Sequence, residues 1–144
     1  MHSYARPLEA RVTHVALDLI PEFEAKRIGG TARLTIEREP GADSIILDID
    51  GLAIRQVTDA SGDTLPFRIG SDNDVLGQPL VIELPERADT IVIQYETSPD
   101  AAAVQWFQPS QTTGGRLPFL FTQGQAILTR TWVPTQDSPG IRQT

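Results

Sequence analysis

An all-β fold built from antiparallel sheets is predicted by three features of the sequence. Apolar residues recur with a period of two rather than 3.6, turn residues punctuate the chain about every 8 to 15 positions, and no stretch carries a sustained helical pattern. Strands spaced this closely leave no room for crossover helices. Successive strands must then pair antiparallel, and the sheets hide their apolar faces by packing as a sandwich or a saddle.

The elements follow in order. Val15, Leu17 and Leu19 alternate with His14, Ala16 and Asp18 in a first strand, and Pro21 and then Gly29-Gly30 read as breaks. In the next run Ala32, Leu34 and Ile36 share one face and Thr31, Arg33, Thr35 and Glu37 the other, because adjacent side chains on a strand point to opposite faces. After Pro40-Gly41, Ile45, Leu47 and Ile49 alternate with Ile46 and Asp48, which assigns Asp48 to the opposite face. Asp50-Gly51, Ser61-Gly62-Asp63, Gly70-Ser71-Asp72-Asn73-Asp74 and Pro85 are turn signals. Between and after them Leu80, Ile82 and Leu84, then Ile91, Ile93 and Tyr95, alternate again. Residues 98–116 read as a long connection carrying Trp106 and Phe107. Connections of that length are as a rule functional or disordered, and the paired aromatics favour an ordered one packed on something. Pro118-Phe119-Leu120-Phe121 and residues 123–133 read as strand, and residues 134–144 as a turn followed by a cut end.

The 144 residues fit a single all-β domain over residues 1–144, large enough to bury roughly two-thirds of the surface its unfolded chain exposes. Without cysteine there are no disulfides, thiolate metal sites or thiol nucleophiles. The net charge of −7 argues against nucleic acid, which needs a basic face, and matches anionic membranes poorly. No apolar run approaches the roughly 20 residues of a membrane span, and the residues from Met1 to Pro7 hold no apolar signal core. The compartment stays open between the cytoplasm and, for a chain whose signal has been removed, the periplasm.

Catalytic constellations are absent from the sequence. The chain has 2 histidines, His2 and His14, not spaced as helix ligands, whereas zinc needs three or four N, S or carboxylate ligands held together. No serine sits in a nucleophile elbow. Asp72-Asn73-Asp74 lacks the rest of a calcium loop, and no Lys-Ser/Thr follows Gly114-Gly115 to make a phosphate loop. One segment stands apart. On a strand, Gln123 and Gln125 face the same way, about 6.6 Å apart at the backbone, with Gly124 leaving the opposite face open. Two neutral carboxamides can both donate and accept hydrogen bonds, and so can hold a peptide's terminal amine and backbone. The same spacing also describes the polar outer face of an ordinary strand.

Here the chain resembles a known family. The M1 zinc aminopeptidases, or gluzincins, carry near the end of their first domain a pattern Gln-x-Glu, then Ala, then Ala-Arg, then Phe-Pro-x-x-Asp-x-Pro. This chain has Gln123-x-Gln125-Ala126, Thr129-Arg130 and Val133-Pro134-x-x-Asp137-x-Pro139 at matching spacing. Gln125 in place of Glu is similar to the leukotriene A4 hydrolase branch. So are Glu96-Thr97-Ser98-Pro99, Val104-Gln105-Trp106, Pro109-Ser110-Gln111-Thr112 and Pro118-Phe119-Leu120-Phe121. Residues 14–19 with Gly30-Thr31-Ala32 resemble the family's first hairpin. The likeness runs over residues 12–139.

The resemblance implies a saddle-like, truncated N-terminal domain that packs on a separate catalytic domain of the same parent chain. That domain holds zinc through a His-Glu-x-x-His helix and a distal Glu, absent here, so this chain is expected to carry no cofactor and no activity alone. The parent is expected to hydrolyse N-terminal residues from peptides, with epoxide hydrolysis a side activity of the branch. Gln125 matches the position that binds the substrate's free amine, and Gln123 a neighbour lining the same pocket. Arg130, Pro134, Asp137 and Pro139 match structural positions, with a buried Arg–carboxylate contact and two turn-setting prolines. The alternative is a stand-alone β-sandwich module binding carbohydrate or a protein through an aromatic platform of Trp106, Phe107 and Trp132. An unpaired sheet edge further predicts homodimers formed by β-pairing between copies.

Overall fold

The computed structural model describes residues 2–144. Nine strands follow one another: β1 (Ala10–Glu22), β2 (Arg27–Arg38), β3 (Ser44–Ile49), β4 (Ala53–Asp59), β5 (Phe67–Ile69), β6 (Gln78–Glu83), β7 (Thr90–Glu96), β8 (Val104–Phe107) and β9 (Phe119–Thr122). All pair antiparallel, in a four-stranded sheet of order β1-β2-β7-β4, a three-stranded sheet of order β3-β6-β5 and the β8-β9 hairpin. The alternation works as the period of two requires. Leu34, Ile91, Ile93 and Tyr95 from the larger sheet and Ile45, Leu47, Leu80 and Ile82 from the smaller fill one buried cluster. Burying each such side chain is worth about 1.5–3 kcal/mol.

Two expectations about this part of the chain are corrected. Pro21 and Gly29-Gly30 do not break strands; they lie inside β1 and β2, where Pro21 pairs with Ile28 and Gly30 with both Leu19 and Tyr95. Pro21 is tolerated because β1 is an edge strand, where a missing N–H costs no ladder bond. Gly30 is held at φ +148°, and a Cβ there would sit 2.1 Å from the Asp18 carbonyl oxygen, so glycine lets two strands approach. The turn falls instead at residues 23–26. Asp48, which alternation assigns to the face opposite Ile45, Leu47 and Ile49, lies outside their cluster and is buried under Ser3, Tyr4 and Asp137. Trp106 and Phe107 stand on β8 rather than in a loop.

Residues after β9 close the gap between the two sheets. The Gln136 carboxamide accepts from the Val12 N–H (2.9 Å) and donates to the Ala10 (2.9 Å) and Ile46 (3.3 Å) carbonyls. It thereby ties β1 to β3. A register shift between Val12 and His14 in β1 lies beside this clamp. Further on, Thr144 donates its N–H to the Thr13 carbonyl (3.1 Å) and accepts from the Val15 N–H (2.8 Å).

Candidate functional site

The predicted strand over residues 123–133 does not form. β9 stops at Thr122, and the chain turns through residues 125–128 into a 3₁₀ turn over Thr129–Thr131. The ladder is extended by one bond, Gln123 N–H to the Ala103 carbonyl at 2.9 Å, after which Leu128 N–H bonds back to the Gly124 carbonyl at 3.0 Å. The reason is the absence of an aliphatic alternation to bury, so local hydrogen bonds win over sheet extension. Nor is the far side of Gly124 open: a Cβ there would lie 2.2 Å from Thr129 Oγ1. The Gln125–Ala126 peptide is cis.

This turn nevertheless brings the two carboxamides together. Gln123 Nε2 donates to Gln125 Oε1 at 3.4 Å, and both side chains are exposed. The contact leaves Gln123 its acceptor oxygen, and Gln125 its amide donors and the second lone pair of Oε1, for a ligand, a neutral and convergent pair.

Further along the chain from the pair lies a buried polar lock. Arg130 is 1 % exposed. Its Nε donates to Asp137 Oδ2 (3.3 Å), Nη1 to the Leu76 carbonyl (2.7 Å), and Nη2 to the His2 (2.7 Å) and Asp137 (2.9 Å) carbonyls. Its backbone N–H also donates to Asp137 Oδ2 at 3.1 Å. Asp48 completes the lock, 4.0 Å from Nη1. Its carboxylate accepts from the Ser3 hydroxyl, from Tyr4 N–H at 2.8 Å and from Asp137 N–H at 2.9 Å. The guanidinium and both carboxylates are thus paired and hydrogen-bonded, the condition under which buried ions are tolerated. Pro134 is buried between Val133 and Thr135, and Pro139 is exposed in the turn at residues 139–140. Beside the lock, burial pushes the Tyr95 phenol well above its ordinary value, and its O–H donates to the Trp132 carbonyl at 2.8 Å.

Asp48 and Gln136 were not singled out by the sequence reading. A lone carboxylate in the aliphatic run Ile45-Ile46-Leu47-Asp48-Ile49 was the available signal for the first; nothing marked the second. The aromatic platform of the alternative reading does not assemble. Trp106 and Trp132 pack against a cluster of Ile28, Ala101 and Val104, Phe23 stacks edge-on to Trp106 with ring centroids 5.3 Å apart, and both indole nitrogens are buried. The residues present do not fit zinc: among the described residues no three His, Cys, Asp or Glu side chains are grouped to hold a metal, and His14 Nδ1 is 2.7 Å from Thr144 Oγ1.

The described residues thus form an antiparallel β domain with an exposed pair of carboxamides and a buried Arg–Asp lock. Residues 11–144 match the peptidase M1 N-terminal domain, and the chain belongs to that family, in its leukotriene A4 hydrolase-like branch. It is 32% identical over 148 residues to leukotriene A-4 hydrolase of Xenopus laevis, covering 99% of this chain and 24% of that one. With leucine aminopeptidase 2 of Yarrowia lipolytica the identity is 33% over 137 residues, 92% of this chain and 21% of the relative. The structure of yeast LTA4 hydrolase in complex with bestatin superposes with a TM-score of 0.89 at 29% identity, over 99% of this chain and 23% of that one. The M1 zinc metallopeptidase from Deinococcus radiodurans shares the fold, with a TM-score of 0.68 at 15% identity, over 94% of this chain and 31% of that one. The chain therefore spans about a quarter of the length of the curated relatives it matches.

Proposed function

We propose that this chain is the substrate-pocket domain of a zinc-dependent aminopeptidase, inactive alone, in which Gln123 and Gln125 receive the free N-terminus of a peptide. The relatives are hydrolases of this class, and the structure of one M1 zinc metallopeptidase holds a Tyr-Ser-Ala substrate. The observation that carries the reading is the exposed, mutually bonded pair Gln123–Gln125, at the positions where the family pattern places amine recognition. An amide oxygen accepts from an ammonium, though less strongly than a carboxylate would. A further carboxylate for the ammonium, and the zinc, would come from the catalytic domain of the same parent chain. Arg130, Asp137 and Asp48 hold the turn that presents the pair, and Pro134 and Pro139 shape its exit. Epoxide hydrolysis by the parent belongs to the same reading.

In the full-length parent, Gln125→Ala should lower kcat/KM for aminoacyl substrates about tenfold, the value of one hydrogen bond to a charged group. Unchanged kinetics across several substrates remove Gln125 from the pocket. Self-association is a separate proposal: β4 and β5 end their sheets, and pairing of two copies there should show as a dimer in light scattering, whereas a monomer at high concentration refutes it.

A further inference from the structure

We infer that the outward face of the β8–β9 hairpin is the seat on which the parent's catalytic domain docks. The first observation is compositional. Residues 101–129 contain one charged side chain, Arg116, in a chain that is 22% charged overall. Depletion of charge together with enrichment in aromatics marks the centre of a protein interface rather than a solvated surface.

The second observation is geometric. In the hairpin Phe107 pairs with Phe119, Trp106 with Leu120 and Gln105 with Phe121. With a period of two, Trp106 and Leu120 fall on one face, and these pack inward with Ile28, Ala101 and Val104. Phe107, Phe119 and Phe121 fall on the other. Phe119 and Phe121 are 55% and 44% exposed, and Leu117, at the hairpin's mouth, is 75% exposed. The Phe107 and Phe119 rings lie 6.1 Å apart, tilted. An ordinary surface hairpin turns a polar face to water. This one is apolar on both sides, and a two-stranded sheet gains its stability only when its apolar surface is covered.

The third observation fixes the occupant. The ladder continues past Phe121 to Gln123, whose N–H bonds the Ala103 carbonyl at 2.9 Å. The Gln123–Gln125 pair therefore sits at the rim of the aromatic face, with Gln111 and Thr112 bordering the hollow beside it. Whatever covers the face also confronts the carboxamides. The relatives are about four times the length of this chain, and an apolar face depleted of charge suits a domain of the same polypeptide better than a transient partner. The choice of occupant rests on the pocket reading of Gln123 and Gln125; the existence of the covered face does not.

The test is hydroxyl-radical footprinting of the full-length protein, read at single side chains and corrected for intrinsic reactivity. Phe67, 36% exposed, and Leu8, 89% exposed, serve as internal references on other faces. Phe119 and Phe121 should be oxidised at least about fivefold more slowly than Phe67, as for residues in an interface core. Rates equal to or above the Phe67 rate overturn the proposal. So does protection that disappears on dilution, which assigns the face to a second copy. The Gln125→Ala kinetics report on the pocket alone. Protected phenylalanines with unchanged kinetics overturn the pocket reading and with it the choice of occupant, leaving a covered face, and exposed phenylalanines with impaired kinetics fail only the docking.

Discussion

The two-sheet core and the segment that closes it are held together by opposite means. Between the four-stranded and three-stranded sheets the contacts are aliphatic, interchangeable and spread over many residues, from Val12 to Tyr95. In the closing segment, stability is concentrated on few atoms: one guanidinium with its hydrogen bonds to Leu76, His2 and Asp137, one buried carboxylate at Asp48 and one carboxamide at Gln136. Apolar burial loses energy in proportion to the area removed. A satisfied buried ion network loses nearly all of it when one member goes, because the partners remain buried and unpaired. The first region tolerates substitution, and the second does not.

The largest effect that separates the two regions is expected from Arg130→Met. It strands Asp48 and Asp137 together with three carbonyls and should cost about 3–5 kcal/mol in urea unfolding. Ile93→Val between the sheets should cost about 0.5–1.5 kcal/mol. Equal losses for the two would dissolve the contrast. Gly124→Ala comes next, at about 1–3 kcal/mol, since its methyl meets Thr129 Oγ1. Adding Thr129→Ala should recover part of the loss, and no recovery would place the strain elsewhere.

An effect as small as that of Ile93→Val belongs to Tyr95, which joins the regions through its bond to the Trp132 carbonyl. Tyr95→Phe should cost about 1 kcal/mol. Because burial raises the folded-state pKa of this phenol, its proton is held more tightly when folded. Its contribution is complete below the unfolded value of about 10 and declines as pH rises beyond it. Thermal melts should therefore lose stability above about pH 10 in the parent chain and lose less of it in Tyr95→Phe. Parallel alkaline losses in the two proteins would contradict the assignment.

The aliphatic region was legible in the sequence because burial on one face of a sheet writes itself as alternation. Ala32, Leu34 and Ile36, or Ile91, Ile93 and Tyr95, admit little else. The polar region was not. Asp48 carries the same alternation as a surface aspartate, and only the placement of Ser3, Tyr4 and Asp137 around it makes it internal. Residues 123–133 misled because Gln-Gly-Gln imitates a period of two without any apolar side to bury. Gly30 reads as a turn in the sequence because glycine's licence for positive φ serves strand approach equally well. The pairing of Gln123 with Gln125 was expected on a strand and arises on a turn, so the same two side chains meet by another route.

The Arg130 lock also sets an order of events during synthesis. Its partners run from His2 to Asp137, almost the full length of the chain, whereas the β1–β2 and β3–β6 pairs close within far shorter spans. A ribosome extending the chain by about 5–20 residues per second releases both sheets before Asp137 emerges. Until the closing segment is made, Asp48 has neither its cation nor the Asp137 N–H that helps to bury it.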